Sequence, residues 1–201
     1  GVQSHGARHN HVFVDLSKAD GVPDSGFGQE EVGLASRQLV SRALFGTLVT
    51  LQTEAMPGRT QFEGFPYGSV ASFADAVPST GMPILLLSQL ERNIINWESD
   101  PRCTLAIQDP VTNGSEPMMM PRTTLFGSLV PVPQAGVAAA RAAYLAKHPI
   151  AAMWIDFPDF ALYTFNVTDV YWVGGFGNAH YIGYVSAESY LAQSNADVGR
   201  A

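Results

Sequence analysis

The sequence predicts one mainly-β domain of the α+β class, an antiparallel barrel with helices appended at its connections. Three observations predict it. Roughly six or seven short segments are β-branched, aromatic or continuously apolar. The links between most of them are of hairpin length, too short for the crossover that parallel neighbours need. The segments are also apolar enough that open edges would invite pairing with other chains, and closure removes those edges.

The elements follow in order. Residues 1–28 are rich in Gly, His and polar residues without lasting periodicity, which predicts an arm; the domain is expected at 29–193 and a tail at 194–201. Over 29–44, Val32, Ala35, Leu39 and Ala43 share one helical face. "FGTLVTLQT" (45–53) alternates as a strand, "MPGR" turns the chain, and "FPYGSVASFA" (65–74) reads as its partner, closed by "PSTG". "PILLLS" (83–88) is wholly apolar up to its last residue, as in a strand buried on both faces. Ser88 and Glu91 have capping-box spacing, which predicts a helix with Leu90, Ile94 and Trp97 as its buried stripe, ended by Asp100 and Pro101. A strand at 103–107, a loop at 108–121 and a strand at 122–132 precede an Ala-rich helix at 134–147. Strands at 160–167, 169–173 and 179–185 and a short helix at 186–192 complete the chain.

Composition narrows the function. With 46% hydrophobic residues, 201 residues suffice for one core. A formal charge of −7 argues against a non-specific nucleic-acid binder, and the scattered Lys and Arg make no patch for an anionic membrane. No apolar stretch approaches the ~20 residues of a membrane span. Cys103 is the only cysteine, so an intrachain disulfide and a Cys-rich metal site are excluded. A first residue other than Met predicts a processed or trimmed chain, in which a targeting peptide would no longer be seen.

The chemistry concentrates near the C-terminus. Gly174, Gly175, Phe176 and Gly177 lack the G-x-G-x-x-G spacing, and a strand follows them, so no helix N-terminus is offered to a pyrophosphate. Two readings remain: a hairpin or bulge that uses glycine's freedom at positive φ, or bare backbone that lets a flat ligand approach between Tyr171, Trp172 and Phe176. No Ser–His–Asp order or His-Glu-x-x-His pattern indicates a hydrolase. His5, His9 and His11 crowd the arm, His148 ends the Ala-rich helix, and His180 alone follows the glycine loop in an aromatic strand. Asp156 and Asp159 bracket an aromatic turn, where a buried carboxylate would need a partner. Asn113 and Asn166 head sequons, which matter only in a secreted chain.

The segments "GFPYGSVASFAD", "PILLLSQLERNIIN", "DPRCTLAI", "PRTTLFGSLVPVP", "AAYLAKHPIAAMWIDFPDFALYTF" and "VYWVGGFGNAHYI" resemble the FMN-binding split-barrel superfamily, the pyridoxamine-phosphate-oxidase-like fold. The nearest likeness is to its haem-handling HugZ-type branch and to the CREG glycoproteins. That resemblance implies a six-stranded Greek-key barrel that forms a homodimer with ligand sites at the interface. It implies haem as cofactor, with oxidative haem degradation as the associated activity; the iron ligand would be His180, with Asp159 in support, or one of the arm histidines His5, His9 and His11, or there is no axial histidine. Gly174, Gly175, Phe176, Gly177, Trp172 and Arg92 are the further ligand-site residues. Flavin-using relatives hold the FMN phosphate with basic side chains, for which Arg42, Arg92 and Arg122 are the candidates. HugZ-like chains often carry a histidine where this one has Asn93. CREG-like members are non-enzymatic glycoproteins, which is the alternative reading, with an FMN-dependent oxidoreductase as a third. The compartments implied are a plastid or the secretory and endolysosomal route.

Overall fold

A computed structural model describes residues 28–53, 60–111, 114, 116–175 and 181–199. Strands Phe45–Leu51 (β1), Pro66–Ala74 (β2), Ile84–Ser88 (β3), Cys103–Gln108 (β4), Arg122–Pro131 (β5), Phe160–Val173 (β6) and Ile182–Ser186 (β7) form one antiparallel sheet ordered β3-β2-β1-β4-β5-β6-β7. Pairing of β3 with β6, Leu86 opposite Leu162, closes six of them into a barrel and leaves β7 as an extra strand. Helices Gln29–Arg42 (α1), Arg92–Ser99 (α2), Val137–Lys147 (α3), Ala187–Leu191 (α4) and Asn195–Val198 (α5) lie around it. None of the described helices is long and apolar enough to cross a membrane.

Alternation builds the barrel. Leu48 on β1, Leu105 and Ile107 on β4, Leu125 and Leu129 on β5 and Phe165, Val167 and Val170 on β6 all point inward and are buried. Phe45, Thr47 and Val70 on the same sheet face outward and are exposed.

The all-apolar run of β3 is explained within one chain. Leu85 and Leu87 join the barrel core, while Ile84 and Leu86 pack with Ala140 and Tyr144 of α3 in a second core outside the barrel. Both faces of this strand are thus covered without a second copy of the chain.

Three predicted elements change. The strands expected at 160–167 and 169–173 are one strand, β6, interrupted only by a bulge: Phe126 opposes Asp169 and Gly127 opposes Val167, leaving Thr168 as the additional residue. Gly127 accommodates this, because a Cβ there would lie within bonding distance of the Asn166 carbonyl oxygen. The Ser88–Glu91 box forms in part, with the Ser88 amide donating to Glu91 Oε1 and the Leu90 amide to Ser88 Oγ. It shapes a turn, however, and α2 begins only at Arg92, so Leu90 lies outside the helix and is exposed. Finally, the predicted tail contains α5, whose Val198 is buried.

One buried cation holds α1 to the rest. Arg37 is 1% exposed; its Nη2 donates to Ser79 Oγ at 2.5 Å, its Nη1 to the Tyr190 and Leu191 carbonyls, and its guanidinium stacks over the Tyr190 ring at 5.4 Å. Ser79 in turn donates to Asp75, so the charge is compensated through a hydroxyl. Helical periodicity could not reveal this, since Arg37 reads as a solvated position.

Candidate functional site

The glycine run closes a hairpin. Asp169–Val173 of β6 pairs with Ile182–Ser186 of β7, and the Gly174 amide donates to the Tyr181 carbonyl at 3.0 Å. Gly175 has φ 129°, a region that side chains rarely adopt, so glycine is needed there by the backbone itself. Among the described residues, the chain after Gly175 resumes at Tyr181 and enters β7, not a helix. Phe176, Gly177 and His180 lie outside the described residues.

The root of this hairpin separates two hollows. Because β-strand side chains alternate, Trp172 turns inward while Tyr171 and Val173 turn outward. The inner hollow, about 300 Å³, lies beneath α1 and is walled by Val32, Leu34, Ala35, Trp172 and Tyr181 beside Gly174. Gln29 braces it, with Nε2 donating to the Tyr181 hydroxyl at 2.9 Å and to the Tyr184 carbonyl at 3.1 Å. The outer cleft, about 440 Å³, has Phe45, Ala106, Thr124, Tyr171 and Val173 along its floor and Arg122 at its rim. An aromatic row continues from it, Tyr171 edge-on to Tyr184 at 5.0 Å and Tyr184 beside Phe126 at 6.2 Å.

Arg122 is the cation that sequence reasoning left undecided. It sits opposite Val173 in the ladder, and its Nη1 donates to the Met118 carbonyl at 3.1 Å. No carboxylate of the described residues pairs with it. Arg42, by contrast, is held by Asp109 in a two-pronged pair at 2.9 and 2.5 Å.

The other site residues named from the sequence separate into a second group. Asp159 accepts from Ser88 Oγ at 2.5 Å, and Arg92 opens α2 four residues after Ser88 with a buried Nη1 that has no partner. Burial raises the Glu91 carboxyl above its ordinary range here. Asp159 precedes the first residue of β6 and Gly174 follows the last, so roughly 45 Å of strand lies between them. Within one chain the length of β6 therefore separates Asp159 from Gly174. Asp156 bonds Arg141 at 2.6 Å on the surface.

Asn93 is structural. It is 1% exposed, accepts from Thr50 Oγ1 at 2.9 Å and donates to the Leu48 carbonyl and to Ser69 Oγ. His148 is likewise committed: its Nε2 lies 2.8 Å from the Phe73 carbonyl and its ring packs on Tyr144. Burial pushes the Cys103 thiol up to about 12, so it is an inert core residue. Asn166 is exposed on the outer sheet face, and Asn113 lies outside the described residues. Among the described residues no cluster of His, Cys, Asp and Glu could hold a metal ion.

Strand order and pairing define the class, a closed antiparallel β-barrel with an extra strand and peripheral helices. The chain belongs to the CREG beta-barrel family, whose model matches residues 28–192. It is 38% identical over 134 residues to the Arabidopsis thaliana non-canonical heme oxygenase HOZ, a match covering 66% of this chain and 39% of that one. It is 24% identical over 185 residues to human Protein CREG1, covering 87% of this chain and 80% of that protein. A solved heme binding protein from Mycobacterium smegmatis superposes with a TM-score of 0.68 at 31% identity, covering 80% of this chain and 60% of the other. The chain thus spans about two fifths of the plant relative and three fifths of the mycobacterial one. Campylobacter jejuni ChuZ shares the fold, with a TM-score of 0.65 at 12% identity over 87% of this chain and 67% of that one.

Proposed function

We propose that the protein binds haem in the outer cleft beside the β6–β7 hairpin, with a second copy of the chain covering the exposed side. The carrying observation is that Phe45, Ile107, Tyr171 and Val173 line one cleft together with Arg122, among threonines. A porphyrin is a flat apolar disc with two carboxylates, and it needs that combination. The cleft's volume lies in the usual range of ~300–1,000 Å³ for small-molecule sites. The names of the plant and mycobacterial relatives support the same ligand.

Arg122 would take a propionate, and Tyr171 with Phe45 would contact the ring face. His148 is already committed to the Phe73 carbonyl, which leaves His180, directly preceding Tyr181, and the arm residues His5, His9 and His11 as iron ligands, of which we assign His180. Bound haem supplies a redox-active iron, and with an electron donor and dioxygen the porphyrin itself becomes the group consumed, as the plant relative's name implies. The covering copy is argued from Phe45 and Val70, 58% and 70% exposed on one sheet face, and from Tyr184 at 64%.

Titration of the protein with haemin tests this. A saturable Soret band lost in His180→Ala supports the assignment, and bleaching of that band on adding a reductant in air distinguishes an enzyme from a carrier. A chain that leaves the haemin spectrum unchanged but quenches FMN fluorescence would overturn it. Sedimentation of Val70→Glu, expected to be monomeric where the parent chain is dimeric, tests the covering copy.

A second reading rests on Asn166. Its exposed side chain stands on the outer face beside Ser128, two residues before Thr168. A glycan there would obstruct a covering copy, so a CREG-like secreted glycoprotein and a haem dimer predict opposite outcomes. Expression in a secretory host, followed by glycan mapping and haemin titration on one sample, separates them.

A further inference from the structure

At the C-terminal end of α1 lies a larger cleft, about 580 Å³, between Ser41, the β2–β3 connection, α3 and α5. We propose that this cleft captures uncharged carbonyl compounds, with the Lys147 amine forming an imine with an apolar aldehyde.

Lys147 ends α3, an otherwise Ala-rich helix, and its amine is turned back against the barrel. Nζ donates to the Ser41 carbonyl at 2.8 Å and rests over the Phe73 ring at 5.2 Å. An ammonium has three donors, and this one uses a single acceptor. Asp75 lines the same cleft, yet its oxygens are engaged by the Ser79 hydroxyl and the Thr80 amide, and it makes no ion pair with Lys147. Two opposite charges therefore share one cleft without neutralising each other directly. The remaining walls are apolar, supplied by Ala74, Ala76, Val77, Pro78 and Ala146. A carboxylate-bearing ligand would meet Asp75 and be repelled, whereas a neutral ligand with a hydrocarbon tail fits both features.

The reactivity follows from the surroundings. Burial lowers the Lys147 pKa, and Asp75 partly opposes that shift. The charged or titratable groups around the amine are Asp75, Arg37 behind Ser79, and His148, next in the chain; α5 contributes Val198 to the cleft, and Gly199 follows it. A larger neutral fraction is what imine formation needs, as for lysines desolvated in apolar pockets. The nitrogen lone pair attacks the carbonyl carbon, and the carbonyl pair moves to oxygen, which takes a proton that nitrogen gives up. The resulting hydroxyl leaves as water with the second nitrogen proton, and C=N replaces C=O. No oxidant or reductant is consumed.

The whole chain carries two lysines, Lys18 and Lys147, which makes the test simple. The protein is incubated near neutral pH with hexanal and sodium cyanoborohydride, which fixes the imine as a secondary amine, and peptides are mapped. Nα-acetyl-lysine amide in the same tube is the comparator. Lys147 is expected to be alkylated several-fold faster than the comparator, since burial enlarges its neutral fraction. Glyoxylate should show no such preference, Asp75→Asn should raise glyoxylate labelling, and Lys147→Arg should remove the mapped adduct. Urea should abolish the preference. Comparator-like rates at Lys147 in the folded protein, or equal preference for hexanal and glyoxylate, would overturn the proposal. If Asp75→Asn melts early, the hexanal-to-glyoxylate ratio of the parent chain decides alone.

Discussion

Replacing Asn93 by Ala tests whether the residue at a position where HugZ-like chains carry a histidine is structural here. The side chain is 1% exposed and makes three hydrogen bonds, with Thr50 Oγ1 at 2.9 Å, the Leu48 carbonyl at 3.2 Å and Ser69 Oγ at 2.7 Å. Each net bond contributes about 1 kcal/mol, so the loss is roughly 3 kcal/mol before the vacated volume is counted. Some of it is recoverable, because the neighbouring Asn96 has a buried Oδ1 without a partner that can accept the Thr50 hydroxyl. In a chain of this size 1 kcal/mol moves Tm by about 2–4 °C, which predicts a fall of roughly 6–12 °C. Asn93→Leu keeps volume but no polar atom and should do no better. Circular-dichroism melting and haemin titration on the same preparations read both consequences. Haem affinity per folded molecule should be unchanged. An unmoved Tm together with weakened haem binding would refute the reasoning and make Asn93 a ligand-site group.

Arg122→Met should weaken haemin binding by roughly 10–150-fold, the worth of a charge-assisted hydrogen bond, while Tm stays put. A spectral titration of both proteins checks it. Gly127→Ala would place a Cβ against the Asn166 carbonyl and force β5 from β6 at the bulge; overpacking costs about 1–3 kcal/mol, and a Tm drop of at least a few degrees is expected in calorimetry. Alkaline stability should fall from about pH 9 towards about pH 12. The folded Cys103 keeps its proton up to about 12 while the unfolded thiol loses it near its ordinary value, so the unfolded state binds fewer protons across that window. Tyr144, also pushed up to about 12 by burial, acts in the same direction. In urea titrations against pH, Cys103→Ala should flatten the slope above pH 9.

The parts legible in the sequence were those written by local period. Alternation marked β1, a continuous apolar run marked β3, and the Ala-rich stretch marked α3, because backbone pleat and helical repeat act over neighbouring residues. Within the glycine run, Gly175 takes the positive φ that a hairpin or bulge uses. Family membership followed from the order of these segments. Arg122, a candidate phosphate holder by charge alone, acquired its place only when β5 and β6 paired in register opposite Val173.

What tertiary structure alone decided were relations between distant residues. Asp159 and Gly174 seem one site in the primary chain and are parted by the length of β6, because a strand extends where a loop would fold back. Thr168 divided two predicted strands, yet a partner strand can absorb one additional residue as a bulge, so pairing overrode the local break. Arg37, Asn93 and Lys147 look like surface polar residues in a linear reading, and each is drawn inward by acceptors lying 42, 24 and 106 positions away at Ser79, Ser69 and Ser41. Burying a polar group is favourable only where its partner already waits, and the closing of the barrel, not the local sequence, sets where that partner stands.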